Sequence, residues 1–487
     1  MSQSATTPTL VSPSPGINVA GYLTSESGVA EAARGYVKAL QHLNYNVALN
    51  NFEVAASRKE DKTFTTFASN NPHPINLVCV NADQLPAFIQ QFGENYFKDK
   101  YNIAVWWWET PEFPEEWWEH FNHFDEIWVG SSYIQRALAN VSPVPIVVVQ
   151  PVVEPKAFSV DRKKLDLSED EFLFLCVFDF LSSFERKNPL ATIDAFKQAF
   201  SPNEPVRVVL KCINGDRNQK LLNELQERAK GLNVTILDRY LSPDDNQLLS
   251  NSCDAYVSLH RAEGLGFPIA EAMLNKKPVV ITGWSGNMDF NSISNSYLVS
   301  YELIANQLQV GPYKVADTWA NPSPEHAAQQ MRALYEDAVT REKLVATAFK
   351  SATEYFSRQT VGQIIQTRLT AVAAFNRSTT EPAADSKVCH IDKLTEQRLK
   401  IIETGEDPAD TSASKSRIRK VMMNLVEKSG YLNRIYSALF RKIFSDTSKI
   451  QTKVELVDSR TRRAVADADR RIAQLEERIR DLEKHKE

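Results

Sequence analysis

The chain is poor in cysteine and in long apolar runs, and each shortage excludes something. Five cysteines are spread over 487 residues. None has the CxxC or Cys/His spacing of a metal site, and an odd count fits a reducing compartment better than a disulfide framework. Three of them stand inside the apolar runs INLVCV, FLFLCVF and VRVVLKC, where a small buried thiol is expected. No uninterrupted apolar stretch approaches the roughly 20 residues that a membrane-spanning helix needs. Gly-Lys-Ser/Thr phosphate loops and Gly-x-Ser-x-Gly elbows are missing as well. A net charge of -5 argues against wholesale nucleic-acid binding. The opening MSQSATTPTLVSPSPG has no basic start followed by an apolar stretch, so residues 1–16 read as a disordered leader and not as a signal peptide. These absences predict a cytoplasmic protein, at most peripheral on the inner face of the plasma membrane.

What is present is a soluble globular composition, 43% hydrophobic and 24% charged. The chain exceeds the roughly 250 to 300 residues one hydrophobic core can organise, so two core-bearing domains are expected. From residue 17 to about 150, short apolar runs (INVAGY, NVALNNF, INLVCV, YNIAVWWW, EIWVG, PIVVVQP) alternate with amphipathic segments, among them a helix from about Gly28 to Leu43. Buried parallel strands joined by helical crossovers give this text. The pattern restarts after QPVVEPKAFSV with FLFLCVFDF, the helix NPLATIDAFKQAF, VRVVLKC, a helix near 217–230, NVTILD, AYVSLH, a helix from about Pro268, and PVVIT. Helical text is read from there to about residue 375, where NRSTTEPAADS marks a boundary. The expected domains are therefore two α/β units, 17–155 and 156–375, with a linker over 376–414. Two open parallel sheets in tandem imply a cleft, with ligands at the carboxyl ends of the strands.

The stretch HRAEGLGFPIAEAM, residues 260–273, concentrates the chemistry. It follows a strand, and Pro268 is suited to the first turn of a helix. Gly264 and Gly266 let the backbone turn tightly and approach a ligand, and free N–H groups at a helix start favour an anion such as a phosphate. Glu263 precedes the turn and Glu271 lies about one turn into the helix, so both can face one cleft and accept hydrogen bonds from hydroxyl groups. The plainer alternative is a loop glutamate followed by a carboxylate that suits a helix N-terminus.

In WWWETPEFPEEWW, Glu109 follows three tryptophans at the carboxyl end of an expected strand. That puts an acid at the cleft; the rings either stack on a ligand or belong to the core. Gly28 opens the helix after the first strand, where a plain N-cap at Ser27 would give the same text. Asn287 and Asp289 of SGNMDF follow a strand end, as turn residues often do.

HRAEGLGFPIAEAM resembles the E-x7-E signature of retaining GT-B glycosyltransferases, and together with FERKNPLATIDAF and GWSGNMDF it resembles glycosyltransferase family 4. The resemblance covers about residues 17–370 and is strongest over 172–300. It implies a GT-B fold, two Rossmann-like domains facing a cleft, followed here by a helical tail ending in a coiled coil. It implies transfer of a sugar, with retention, from a nucleotide-diphosphate sugar to a hydroxyl of a glycan or lipid-linked glycan, in surface polysaccharide synthesis.

By the same resemblance Glu271 would hold the nucleotide ribose and Glu263 the transferred sugar. Gly28, Gly264, Gly266 and Phe267 would line the donor, and Asn287 and Asp289 would touch its sugar. Lys187 of RKNP would bind the diphosphate. The family's usual arginine, about five residues earlier, is Ser182 here, and either Arg186 or Lys211 could replace it. Where many members carry a histidine, Glu109 stands. Asp-x-Asp occurs only as Asp467 and Asp469 in the tail, so neither a metal nor another cofactor is expected. Two alternatives remain open, a silent GT-B scaffold and a sugar-nucleotide epimerase.

The tail differs in kind. Residues 415–450 form a basic amphipathic segment, with nine Lys and Arg between Lys415 and Lys449 against Glu427 and Asp446. From 454 onward a heptad places Val465, Ile472 and Ile479 at a, and Val454, Ala468, Leu475 and Leu482 at d. The basic segment is expected on an anionic membrane surface near the acceptor, and the coiled coil is expected to dimerise the chain or pair it with a partner protein.

Overall fold

The computed structural model describes residues 16–54, 57–155, 160–307 and 309–380. The expected leader up to residue 15, the basic segment and coiled coil, and the linker beyond residue 380 lie outside the described residues; Gly16, expected to end the leader, opens the first strand.

The first domain is built on strands β1 (Gly16–Gly21), β2 (Asn46–Asn51), β3 (Ile75–Cys79), β4 (Tyr101–Trp106), β5 (Glu126–Val129) and β6 (Ile146–Val148). They form one sheet in the order β2-β1-β3-β4-β5-β6, with every neighbouring pair parallel. Helices α1 (Gly28–His42), α2 (Leu85–Phe92) and α3 (Ser132–Ala139) supply crossovers. Helix α1 starts where Ser27 caps it, its hydroxyl accepting from Ala30 N at 3.4 Å. A row of buried amides braces the sheet: Asn18 donates to Asn76 Oδ1 at 2.9 Å, and Asn76 to Asn102 Oδ1 at 2.8 Å. Each amide left without its partner in this core would cost about 1–3 kcal/mol.

The second domain repeats the plan. Strands β7 (Phe172–Asp179), β8 (Val206–Ile213), β9 (Val234–Asp238), β10 (Ala255–Ser258), β11 (Val279–Thr282) and β12 (Tyr297–Val299) run parallel in the order β12-β11-β10-β7-β8-β9. Helices α4 (Phe184–Lys187), α5 (Pro189–Ala199), α6 (Gln219–Ala229), α7 (Pro243–Ser252) and α8 (Phe267–Leu274) intervene. One face, carrying Phe174, Cys176 and Leu210, shares a core with Ile193 and Phe196 of α5. The other, carrying Leu175 and Val209, shares a core with Leu249 of α7 and Ile269 of α8. Both faces are covered, which is why these strands read as continuous apolar runs.

Two expectations need correction after β11. The stretch read as helical contains β12 and then an antiparallel hairpin, β13 (Tyr301–Ala305) and β14 (Thr318–Pro322), before the helices resume. Short strands with mixed polarity in a two-stranded ribbon bury too little to leave a period in the sequence. Helices α9 (Pro324–Glu336), α10 (Ala338–Phe356) and α11 (Arg358–Thr380) follow, so the boundary expected at 375 falls inside α11. Helix α11 also returns to the first domain. Arg368 binds the buried carboxylate of Glu126, which also accepts from Trp128 Nε1 at 2.6 Å, and Arg358 Nε donates to Glu154 at 2.6 Å. Among the described residues no helix is long and apolar enough to cross a membrane.

Candidate active site

The two sheets meet at their carboxyl ends. Trp107, just past β4, packs its ring 6.0 Å from Phe267 at the start of α8 and leaves no room for a side chain at Gly130. A Cβ on Gly28, at the start of α1, would lie 4.0 Å from the Phe267 ring, so the two helix starts face each other across the junction. Ser131 Oγ donates to Gly264 O at 2.6 Å, tying α3 to the loop after β10.

Two glycines shape that loop, one within it and one packed against it. Gly266 has φ +91°, in the left-handed region, and ends the turn that lets Phe267 and Pro268 open α8. Gly286 lies against Gly264, where an added Cβ would stand 1.9 Å from the Gly264 carbonyl oxygen. The loop is further held by Gly286 N donating to Glu263 O and by Glu263 N donating to Ser285 Oγ, each at 2.9 Å. Together these contacts fix the Glu263 backbone from both sides.

The RKNP segment docks onto the same loop. Asn188 takes the left-handed conformation (φ 53°) between α4 and α5, and its side chain donates to Leu259 O at 2.9 Å. Arg186 Nη1 donates to Ala262 O at 2.8 Å, while its carbonyl accepts from Arg261 N at 2.8 Å. These bonds bring Lys187 Nζ onto Glu263 Oε1, and Arg186 Nη1 to 3.5 Å from Glu263 Oε2. Glu263 is 8% exposed. Burial alone would push its carboxyl up, but the charges of Lys187 and Arg186 overcome that and hold it at about 2. Glu109 also acts on Arg186, so two carboxylates balance two cations here, and Lys187 is the less buried of the two cations.

Of the two residues that could supply the second cation, Arg186 touches Glu263. Lys211 is buried in β8, donates to Cys212 O at 3.0 Å, and is drawn down to about 8 by burial, with Asp238 and Asp179 among its electrostatic neighbours. Glu271 lies half-buried on α8.

Asn287 and Asp289 both have structural partners. The Asn287 side chain is buried, donating to Thr282 O at 3.1 Å and meeting His260 Nε2 at 3.1 Å through its oxygen. Asp289, which the resemblance puts at the donor sugar, reaches the first domain, accepting from Ser132 N at 2.6 Å and from Ser132 Oγ at 2.5 Å. It thereby caps α3 from the other domain. His260, inside the stretch singled out above but given no role there, is fully buried between Ser258 Oγ (3.1 Å) and Asn287. Burial draws its pKa down, so it is neutral at pH 7 and braces the loop.

On the first-domain side the three tryptophans are core: Trp106 stacks on Phe113, and Trp108 Nε1 donates to Glu112 O at 2.6 Å. Glu109 emerges just beyond them and accepts from Tyr313 Oη at 2.8 Å. Tyr313 comes from the hairpin β13–β14, which sequence reasoning missed. Its ring centre lies 5.8 Å from the Arg186 guanidinium, so Glu109, Tyr313, Arg186, Glu263 and Lys187 form one continuous chain of contacts across the cleft.

The electrostatics give a pH prediction. Because the folded Glu263 carboxyl titrates below its unfolded value, the stability it provides is complete above about pH 4.5 and is lost as pH falls toward 2. Glu263→Gln takes the carboxylate from buried Arg186 and half-buried Lys187 and should cost roughly 3 kcal/mol at pH 7. The gap in melting temperature between wild type and variant should narrow below pH 4.5, whereas a gap independent of pH would show that the carboxylate charge is not what holds the cluster.

Residues 158–296 match the family model described as glycosyl transferases group 1. No curated protein sequence matches the chain. Among solved structures, a glycosyltransferase from Rickettsia africae is similar at TM-score 0.54 and 15% identity, over 76% of this chain and 100% of that one. Sucrose-phosphate synthase from Thermosynechococcus elongatus gives TM-score 0.53 and 14% identity over 74% and 100%. HepE of Anabaena, in complex with UDP and glucose, gives 0.51 and 15% over 73% and 100%. The structural likeness carries the GT-B fold, and the domain match carries the enzyme class, a glycosyltransferase.

Proposed function

We propose that the chain transfers a sugar from a nucleotide-diphosphate sugar to a hydroxyl of a glycan or lipid-linked glycan, with retention and without a metal, as its resemblance to glycosyltransferase family 4 implies. The observation that carries this reading is the cluster of buried Glu263 and Arg186 with half-buried Lys187, beside the start of α8. In this reading the leaving diphosphate gathers negative charge as its bond to the anomeric carbon breaks. Lys187 and Arg186, beside the start of α8, stabilise that charge in place of a divalent ion. Glu263, its charge already fixed, accepts hydrogen bonds from the sugar hydroxyls, and Glu271 accepts them from the ribose. The acceptor hydroxyl enters from the first domain, on the face from which the diphosphate leaves. With no side chain proposed as nucleophile, orientation supplies much of the rate.

The place of Arg186 beside Glu263 supports the reading that the RKNP turn carries the cation the family usually has five residues earlier, which favours an active transferase over a silent scaffold. The test is a thermal-shift panel of GDP, UDP, dTDP and ADP with their common sugars, on wild type and Glu271→Ala. The Anabaena complex with UDP and glucose makes UDP-glucose the first donor to try. A stabilising shift for one nucleotide, lost in the variant, is expected; no shift for any of them would sink the reading.

The tail would bring this site to its acceptor. The Lys and Arg of 415–450 suit an anionic membrane surface, and the heptads after 454 suit a second copy or a partner protein. Flotation of the full chain with anionic vesicles, absent for a chain ending at residue 380, is the expected result; equal flotation of the two would remove the membrane role.

A further inference from the structure

The hairpin β13–β14 belongs to neither main sheet, yet it delivers one side chain into the cleft. Tyr313 is 4% exposed, although Val315, two residues on, is 59% exposed and Leu303 on β13 is 52% exposed. Its ring lies 5.5 Å from that of Trp108 and 5.8 Å from that of Trp319, and its hydroxyl donates to Glu109. The tip is braced from within, Asn306 Nδ2 donating to Lys314 O at 3.1 Å and Lys314 N to Asp317 Oδ2 at 2.7 Å, so that it can move as a unit. Lys314 makes an exposed ion pair with Glu116, and Gly311 (φ +54°) and Ala316 (φ +74°) bracket the tip with left-handed backbone. That conformation is uncommon for alanine and costs energy to maintain. Trp118, in the same 3-10 helix as Glu116 (Glu115–His123), is 39% exposed, so apolar surface flanks the mouth.

The position of the phenol is informative because of what it joins. On one side is a carboxylate of the first domain; on the other, Arg186 and through it Glu263 and Lys187. A sugar acceptor is a hydroxyl group that must sit between those same two sets of residues. We propose that Tyr313 occupies the place of the acceptor hydroxyl, and that the hairpin is a gate: the acceptor displaces the phenol, takes over its hydrogen bond to Glu109, and enters as the tip swings out. This rests on the transferase reading and adds the acceptor position to it. With the gate closed, water is kept from the donor, so the sugar is not lost to hydrolysis before an acceptor arrives.

In transfer through an open gate, the oxygen of the incoming alcohol bonds to the anomeric carbon as the bond from that carbon to the diphosphate oxygen breaks. The electron pair leaves with the diphosphate, and the alcohol proton passes to Glu109 and then to solvent. Water in the same place gives the free sugar, and methanol gives a methyl glycoside. Tyr313→Phe keeps the ring against Trp108 and Arg186 and removes only the hydroxyl; Tyr313→Ala empties the place.

The experiment uses the full chain with the sugar nucleotide that stabilises it, without acceptor, in buffer and in dilute methanol, measuring nucleoside diphosphate release and methyl glycoside. Release and methyl glycoside should rise about tenfold in Tyr313→Phe and further in Tyr313→Ala, with the nucleotide-induced thermal shift retained in both. A retained shift with release unchanged or lower in both variants would overturn the gate and leave the transferase reading standing. If no sugar nucleotide shifts the wild type, the transferase reading fails and the gate fails with it. A purely structural tyrosine would not produce a gain in methyl glycoside when removed.

Discussion

The cleft is organised around a buried carboxylate between two cations. A lone glutamate in the place of Glu263 would be driven toward its neutral form, and lone cations in the places of Arg186 and Lys187 would be as costly. Together they are stable, and the price is a set of backbone bonds that fix where each must stand: Arg186 on Ala262, Asn188 on Leu259, and the Glu263 amide on Ser285. The left-handed turns at Asn188 and Gly266 follow from that requirement, because the RKNP turn and the α8 turn must each end abruptly to face one another. Lys187, the less buried of the two cations, is then the charge an anionic ligand can reach.

The same loops hold the two domains together. Gly264 receives Ser131, Asp289 caps α3, and Trp107 lies between Gly130 and Phe267. The residues that shape the second-domain loop are therefore also those that touch the first domain, so a ligand that moves this loop would act on the closure of the cleft. Helix α11 binds the outer side of the first domain through Arg368 and Arg358, which leaves the cleft contacts and this strap as separate connections between the halves.

How much could be read from the sequence depended on how local each feature is. Parallel strands buried on both faces gave unbroken apolar runs, and both sheets were legible. The glutamates, the glycine turn and RKNP were legible because each is a contiguous string, and the structure brings the strings together. The choice between Arg186 and Lys211 was not legible, since it depends on which side of β8 faces the loop. Tyr313 was invisible: it lies 204 residues from Glu109 in a ribbon too short and too polar to show a period. The resemblance puts Asp289 at the donor, but its partner Ser132 is 157 residues away and leaves no sign in the local text. His260 stood in plain view, but only its burial between Ser258 and Asn287 gives it a role.

The central claim is that the two cations beside Glu263 form the diphosphate site. The direct measurement is calorimetric titration of the nucleoside diphosphates GDP, UDP, dTDP and ADP into wild type, Lys187→Met and Glu263→Gln. The account predicts that the nucleotide bound by wild type binds at least tenfold more weakly to Lys187→Met. It should bind at least as tightly to Glu263→Gln, where the competing internal anion has been removed. Equal affinity across all three proteins would contradict it.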